Sequence, residues 1–230
     1  MPAPGPLELL IFDLDGTLID SCADLVASVN ATLSHLGRAP LAEELIARYV
    51  GDGAARLIER ALGGEPEAEL QAAALEYFLD YYAAHKLDRT TLYPGVEEGL
   101  AALGAAGFAL AVLSNKPVRP SREIVAALGI GGYFFAVEGG NSFAQKKPDP
   151  VGILALARAR GLAPAAAAMI GDSAVDIRAG RNAGAYTCGV TYGFRPDSFA
   201  AEPPDAIAAS FAQLTAGLLA LRPCPAAPRA

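Results

Sequence analysis

The sequence has little of what builds thiolate metal sites, disulfide scaffolds or polyanion-binding faces. Its three cysteines, Cys22, Cys188 and Cys224, are odd in number and widely scattered. They match neither zinc-ligand spacing nor a disulfide framework, and read as ordinary thiols of a reducing compartment. The two histidines, His35 and His85, have no neighbouring carboxylate or cysteine pattern, so surface or helix-end roles outweigh metal binding or acid–base work. Lys and Arg total 18 against 25 Asp and Glu, the formal charge is −7, and the basic residues form no long cluster. That argues against non-specific nucleic-acid binding. No apolar run is long enough to span a bilayer, because bulky residues come in short stretches broken by polar ones. The opening MPAPGP has no basic segment, and the apolar stretch after it contains Asp13 and Asp15, unlike a secretory leader. The expected compartment is the cytoplasm, and the expected assembly a monomer or a homodimer. Internal repeats are also lacking.

What is present is ample core-forming material: 53% of the 230 residues are hydrophobic. The length exceeds one typical domain and falls short of two, which suggests a core carrying a smaller appendage. Residues 7–13 (LELLIFD) form a short apolar run ending in an acid, with Gly16 beyond, as a buried strand stopping at a turn would. Four helical patterns follow without a strand-like run between 21 and 88. The first carries Leu25, Val26, Val29, Leu33 and Leu36, the last Leu75, Phe78, Leu79 and Tyr82. After Tyr93-Pro94-Gly95, strand-like runs at 108–114, 133–139, the stretch ending at 171 and 186–192 alternate with helical stretches near 96–106, 118–128, 150–161 and 174–183. Alternation predicts a parallel sheet covered on both faces. The fold class is therefore α/β: a Rossmann-like parallel-sheet core over 1–19 and 90–222, an inserted all-helical cap over 20–89, and a frayed tail over 223–230.

In open parallel sheets ligands bind beyond the carboxyl ends of the strands, which directs attention to Asp13-Leu14-Asp15, Ser114-Asn115-Lys116 and Gly171-Asp172-Ser173. Period-two geometry points Asp13 and Asp15 into one pocket. Two carboxylates there are costly unless a hard divalent cation relieves them, and Mg²⁺ takes one or two carboxylates while leaving room for water and a phosphate. Asp172 offers a further ligand. Such a cation lets a small anionic phosphate ester meet the Asp13 carboxylate, whose attack gives an aspartyl-phosphate. Asp15 is placed to protonate the leaving oxygen and later to activate water. Ser114 and the Asn115 N–H offer donors to the phosphate, and Lys147 adds permanent charge. The prolines of Lys146-Lys147-Pro148-Asp149-Pro150 predict an extended backbone presenting Lys147, with Lys146 solvated.

DLDGTLIDS (13–21), SNK (114–116), KKPDP (146–150) and GDSAVD (171–176) resemble, in order and spacing, the four motifs of the haloacid dehalogenase-like phosphatases. The resemblance implies Asp13 as nucleophile, Asp15 as acid/base, and Ser114, Asn115, Lys147 and Thr17 as phosphate binders. It also implies magnesium on Asp13, the Asp15 carbonyl and Asp172, with Asp176 supporting the metal site. Within that superfamily RYVGDGAARLIERAL (48–62), YPGV (93–96) and GGNSFAQKKPDP are similar to the bacterial phosphoglycolate phosphatases, although Asn141 stands where that family carries an acid. That likeness implies hydrolysis of 2-phosphoglycolate, with sugar-phosphate hydrolysis or phosphoryl return to a sugar as alternatives. It also marks Arg48, Gly51, Asp52, Gly53 and Arg56 as cap residues that would select substrates. Plainer readings stand beside these: a turn or calcium loop at 13–16, an N-cap at Ser114, and a capping box in Ser173 and Asp176.

Overall fold

The computed structural model describes residues 6–221. The expected frayed tail and Cys224 lie outside the described residues. Six parallel strands form the main sheet: β1 (Leu9–Phe12), β4 (Ala109–Leu113), β5 (Ala136–Glu138), β6 (Ala167–Gly171), β7 (Tyr186–Val190) and β8 (Ala206–Ala208). Their order is β5-β4-β1-β6-β7-β8. A two-stranded antiparallel ribbon joins β2 (Ile19–Asp20) to β3 (Thr91–Leu92). Between its strands run α1 (Cys22–His35), α2 (Glu43–Tyr49), α3 (Ala54–Ala61) and α4 (Ala68–His85). The sheet is flanked by α5 (Val96–Ala105), α6 (Val118–Ala127), α7 (Val151–Ala159), α8 (Ala174–Ala183) and α9 (Phe211–Ala220).

β1 and β6 are buried along their whole length because helices cover both faces, which is why they read as continuous apolar runs rather than as alternation. Alternation still sorts their side chains. Leu10 and Phe12 join one core cluster, where Phe12 stacks on Phe211 of α9, whereas Leu9 and Ile11 join the other, with Ile153 and Leu156 of α7. In the helical block the apolar stripes of α1 (Leu25, Val29, Leu33) and α4 (Ala74, Phe78, Tyr82) are packing surfaces, as the helical spacing predicts.

β2, β3 and β8 were not legible, since strands of two or three residues have no room for a period. The 133–139 run is strand only over Ala136–Glu138, an edge position preceded by a 3₁₀ turn. The 146–150 segment turns instead of running extended: the Asp149 N–H returns to the Lys146 carbonyl (3.0 Å) around a cis Lys147–Pro148 peptide, and Asp149 then caps Val151 (2.9 Å). The turn satisfies backbone groups just before α7 begins.

Where the chain enters and leaves the helical block, the buried Asp24 carboxylate accepts from the N–H groups of Arg89 (3.0 Å) and Thr90 (2.9 Å) and from Thr90 Oγ1 (2.8 Å). One side chain thus ties the two crossovers together. Asp24→Ala would orphan these donors, each costing about 1–3 kcal/mol when buried. Thermal unfolding is expected to fall by roughly 10 °C, since about 1 kcal/mol moves Tm by ~2–4 °C in a chain of this size. An unchanged Tm would show that the clamp contributes nothing.

Candidate active site

Sheet order makes the site. β4, β1 and β6 are neighbours, so their carboxyl ends deliver Ser114, Asp13 and Asp172 side by side. The chain leaves β1 toward β4 and β5 and returns to the other side at β6, which places the crevice for a ligand between β1 and β6. The Asp13, Asp172 and Asp176 carboxylates are buried, with one oxygen from each lying within 4.8 Å of the others. Close packing demands glycine at position 16: its φ is +80°, and a Cβ there would lie 2.3 Å from Asp172 Oδ2.

The charges in this cluster are not balanced. Lys147, itself buried, reaches Asp176 Oδ1 at 2.6 Å and Asp13 Oδ1 at 2.9 Å. Burial pushes Asp13 up to about 6, with Asp176 and Asp15 adding repulsion that Lys147 only partly offsets. Burial likewise pushes Asp172 up to about 8, with Asp176 and Asp13 adding to it and the N–H groups of Phe194 (2.6 Å) and Arg195 (3.3 Å) opposing it. Burial works against the charged form of Lys147, but Asp13 and Asp176 outweigh it and hold the ammonium above the usual lysine range. Three buried carboxylates against one lysine, all oxygen donors, are a donor set that fits a hard divalent cation.

Asp176 also closes a capping box at the start of α8: its Oδ2 accepts from Ser173 Oγ (2.7 Å) and Ser173 N (3.2 Å). Capping and the contact with Lys147 coexist in one side chain. Asp15 stands apart from the triad. Its Oδ1 accepts from Ser21 Oγ (2.6 Å), and Lys116 Nζ reaches its two oxygens at 2.6 and 2.8 Å. Burial works against the charged Lys116, but Asp15 outweighs it and holds the ammonium well above the usual range. The ring of Tyr82, from α4, lies 4.8 Å from the same nitrogen. Nothing local in the sequence distinguishes Lys116 from a solvated lysine except its place in SNK after β4.

A cavity of about 560 Å³ opens above this floor. Asp13, Asp15, Ser114, Asn115 and Lys116 line its base, and Leu25, Leu57, Phe78 and Leu79 of the helical block line its walls. Ser114 is not an N-cap, since α6 begins at Val118 with Pro117 in the N-cap position. Thr17 is fully buried and does not line the cavity; its carbonyl accepts from Tyr192 Oη at 2.9 Å. Of the residues marked in the helical block, Gly51 and Gly53 line the cavity, whereas Arg48 and Arg56 are exposed and lie outside it, Arg56 pairing with Glu59. Asp52 pairs with Arg60 (2.6 Å) and with Arg195 of the sheet domain (3.0 Å). Lys146, read as solvated, is exposed yet donates to the Asp52 carbonyl (2.7 Å), and Asn115 Nδ2 donates to the Gly51 carbonyl (2.9 Å). Asn141 Oδ1 accepts from Val118 N (2.8 Å) at the start of α6, a task an acid would also perform, so the departure there lies away from the carboxylate cluster.

A buried carboxylate cluster at the switch point of a parallel sheet, roofed by inserted helices, is the arrangement of a class of hydrolases. The family model for haloacid dehalogenase-like hydrolases matches residues 10–190, and the chain belongs to that family. A phosphoglycolate phosphatase of Psychrobacter arcticus is 44% identical over 194 residues, covering 81% of this chain and 84% of its own. One from Vibrio vulnificus is 42% identical over 217 residues, covering 90% and 94%. A crystal structure described as a predicted phosphoglycolate phosphatase from Haemophilus somnus superposes with a TM-score of 0.85 at 35% identity, covering 90% of this chain and 96% of that one. Among the described residues no helix is long and apolar enough to cross a membrane.

Proposed function

We propose that this chain is a magnesium-dependent phosphoglycolate phosphatase that hydrolyses 2-phosphoglycolate to glycolate and phosphate through an aspartyl-phosphate on Asp13. The observation that carries the chemistry is the buried Asp13 carboxylate, held 2.9 Å from Lys147 beside Asp172 on the adjacent strand end. The substrate follows the relatives that are 42–44% identical.

In this reading Asp13 attacks phosphorus and the bond from phosphorus to the glycolate oxygen breaks, with Asp15 donating a proton to that oxygen. Water then attacks the phosphorus of the aspartyl-phosphate. Asp15 takes its proton, and Asp13 and inorganic phosphate are released. Ser114, the Asn115 N–H and Lys147 receive the non-bridging oxygens, and Ser21 and Lys116 hold the Asp15 carboxylate in place. Thr17, fully buried, would act through the loop it belongs to. Asp13, Asp172 and the Asp15 carbonyl would hold Mg²⁺, with Asp176 behind them; the ion supplies the charge neutralisation that lets two anions meet. Residues 20–89 act as a cap that excludes water, docked through Gly51 and Asp52 onto Asn115, Lys146 and Arg195. Arg48 and Arg56, both exposed, would at most steer the anion from outside.

A second reading, a sugar-phosphate phosphatase, is favoured by the cavity, whose volume of about 560 Å³ exceeds what a two-carbon ester needs. Phosphate release from a panel of esters, with magnesium and with EDTA, separates the two. The expected result is 2-phosphoglycolate leading in kcat/KM by at least about tenfold, or ~1.4 kcal/mol of transition-state discrimination, and no turnover in EDTA. A different leading ester would replace the substrate and keep the mechanism, whereas metal-independent turnover would overturn both.

A further inference from the structure

We propose that Lys116 is the specificity-determining residue of this site, the cation that receives the carboxylate of the substrate; the assignment rests on the phosphoglycolate reading. A carboxylate brought out of water needs hydrogen-bond donors to replace its hydration, and a cationic donor does so most strongly. The cationic side chains lining the cavity are Lys86, Lys116 and Arg119. Arg119 is 88% exposed, and both it and Lys86 are drawn to Glu123, at 3.0 Å each. Lys116, with a side chain 5% exposed, is the one that sits on the buried floor. Lys147 is also buried, but it is engaged by Asp13 and Asp176 and does not line the cavity.

The chemistry of a two-carbon acid fixes where that cation must be. In 2-phosphoglycolate the carboxylate carbon lies two bonds beyond the ester oxygen. The group that protonates the ester oxygen, Asp15 in the mechanism above, and the group that holds the carboxylate must therefore be neighbours. Lys116 is bonded to both oxygens of Asp15, at 2.6 and 2.8 Å. An ammonium has three N–H donors, so one remains for a substrate oxygen. The Tyr82 ring, 4.8 Å away, steadies the charge by a cation–π contact and brings α4 of the cap to the same point. An ester lacking the carboxylate would leave that donor unpaired in a desolvated site, the condition under which discrimination becomes large.

The test compares 2-phosphoglycolate with its carboxamide, the same ester without the charge, and 3-phosphoglycerate with glycerol 3-phosphate, in the wild type, Lys116→Met and Lys116→Arg. The wild type is expected to prefer the carboxylate member of each pair. Lys116→Met should lower that preference for 2-phosphoglycolate about 100-fold, mostly through KM, and abolish competitive inhibition by glycolate; this scale is that of a lost buried charged hydrogen bond. Lys116→Arg, which keeps the charge and protects against loss of the fold, should retain part of the preference. Equal losses for both members of a pair in Lys116→Met would overturn the assignment and leave Lys116 acting only through Asp15, with the phosphoglycolate reading intact. A wild type indifferent to the carboxylate in both pairs would overturn the assignment and that reading together. A preference for 3-phosphoglycerate over 2-phosphoglycolate, lost in Lys116→Met, would support Lys116 and discard phosphoglycolate as the substrate.

Discussion

Asp13→Asn is expected to lower kcat for 2-phosphoglycolate by about 10⁵-fold or more, the scale on which removal of a nucleophile acts. Asn has the shape of Asp but its amide does not attack phosphorus, so no covalent phospho-enzyme forms and the two-step route is closed. The fold should survive. Burial already pushes Asp13 up to about 6, so a neutral side chain relieves a desolvation cost, although the contact with Lys147 at 2.9 Å loses its charge. Quenching the wild type in acid during turnover of phosphate-labelled substrate should leave label on the protein, and none on Asp13→Asn. Residual turnover above about 1% of wild type, with label still attached, would assign the nucleophile to another residue.

Removal of metal is expected to make stability fall as pH rises, the reverse of ordinary carboxylate behaviour. Asp13 at about 6 and Asp172 at about 8 lie above the ~3.9 of an unfolded aspartate, so the folded state holds their protons more tightly. The stability they contribute is full below about pH 4 and is lost as pH rises through about 6 and then about 8. In EDTA, Tm should therefore decline between pH 5 and pH 8. Magnesium at 100 times its Kd restores about 2.7 kcal/mol, or roughly 5–10 °C, and more at pH 8 than at pH 5 because it binds the ionised carboxylates. Asp172→Asn should abolish most of that gain while leaving the EDTA protein at pH 8 no less stable than wild type, since the buried charge has gone. A Tm in EDTA that is flat from pH 5 to pH 8, or a full magnesium response in Asp172→Asn, would remove the acidic triad as the metal site.

The parts of the site that sit on one strand end were legible. Asp13 and Asp15 are two residues apart after β1, and both line the cavity, as period-two geometry requires. The capping box of Ser173 and Asp176 was equally readable, because its partners are three residues apart. The partners of the lysines were not. Lys116 and Asp15 are 101 residues apart and meet because β4 and β1 are sheet neighbours. Arg48 and Arg56 carried the charge a substrate carboxylate needs, but which face of α2 and α3 turns to the cavity is set by helix packing, and it turned both outward. Arg195, which binds Asp52 across 143 residues and donates its N–H to Asp172, lies outside every motif quoted.

The amino-acid sequence by itself determined the alternation of strands and helices, the helical insertion, and which carboxylates stand at strand ends, because each depends on local periodicity and on turn residues a few positions away. Only the tertiary structure decided that the Asp15 side chain leaves Asp13, Asp172 and Asp176 and turns to Lys116, and that Lys116 is the cation buried on the cavity floor. Those outcomes depend on strand order and on side-chain burial, quantities that arise only when residues distant along the chain are brought out of water together.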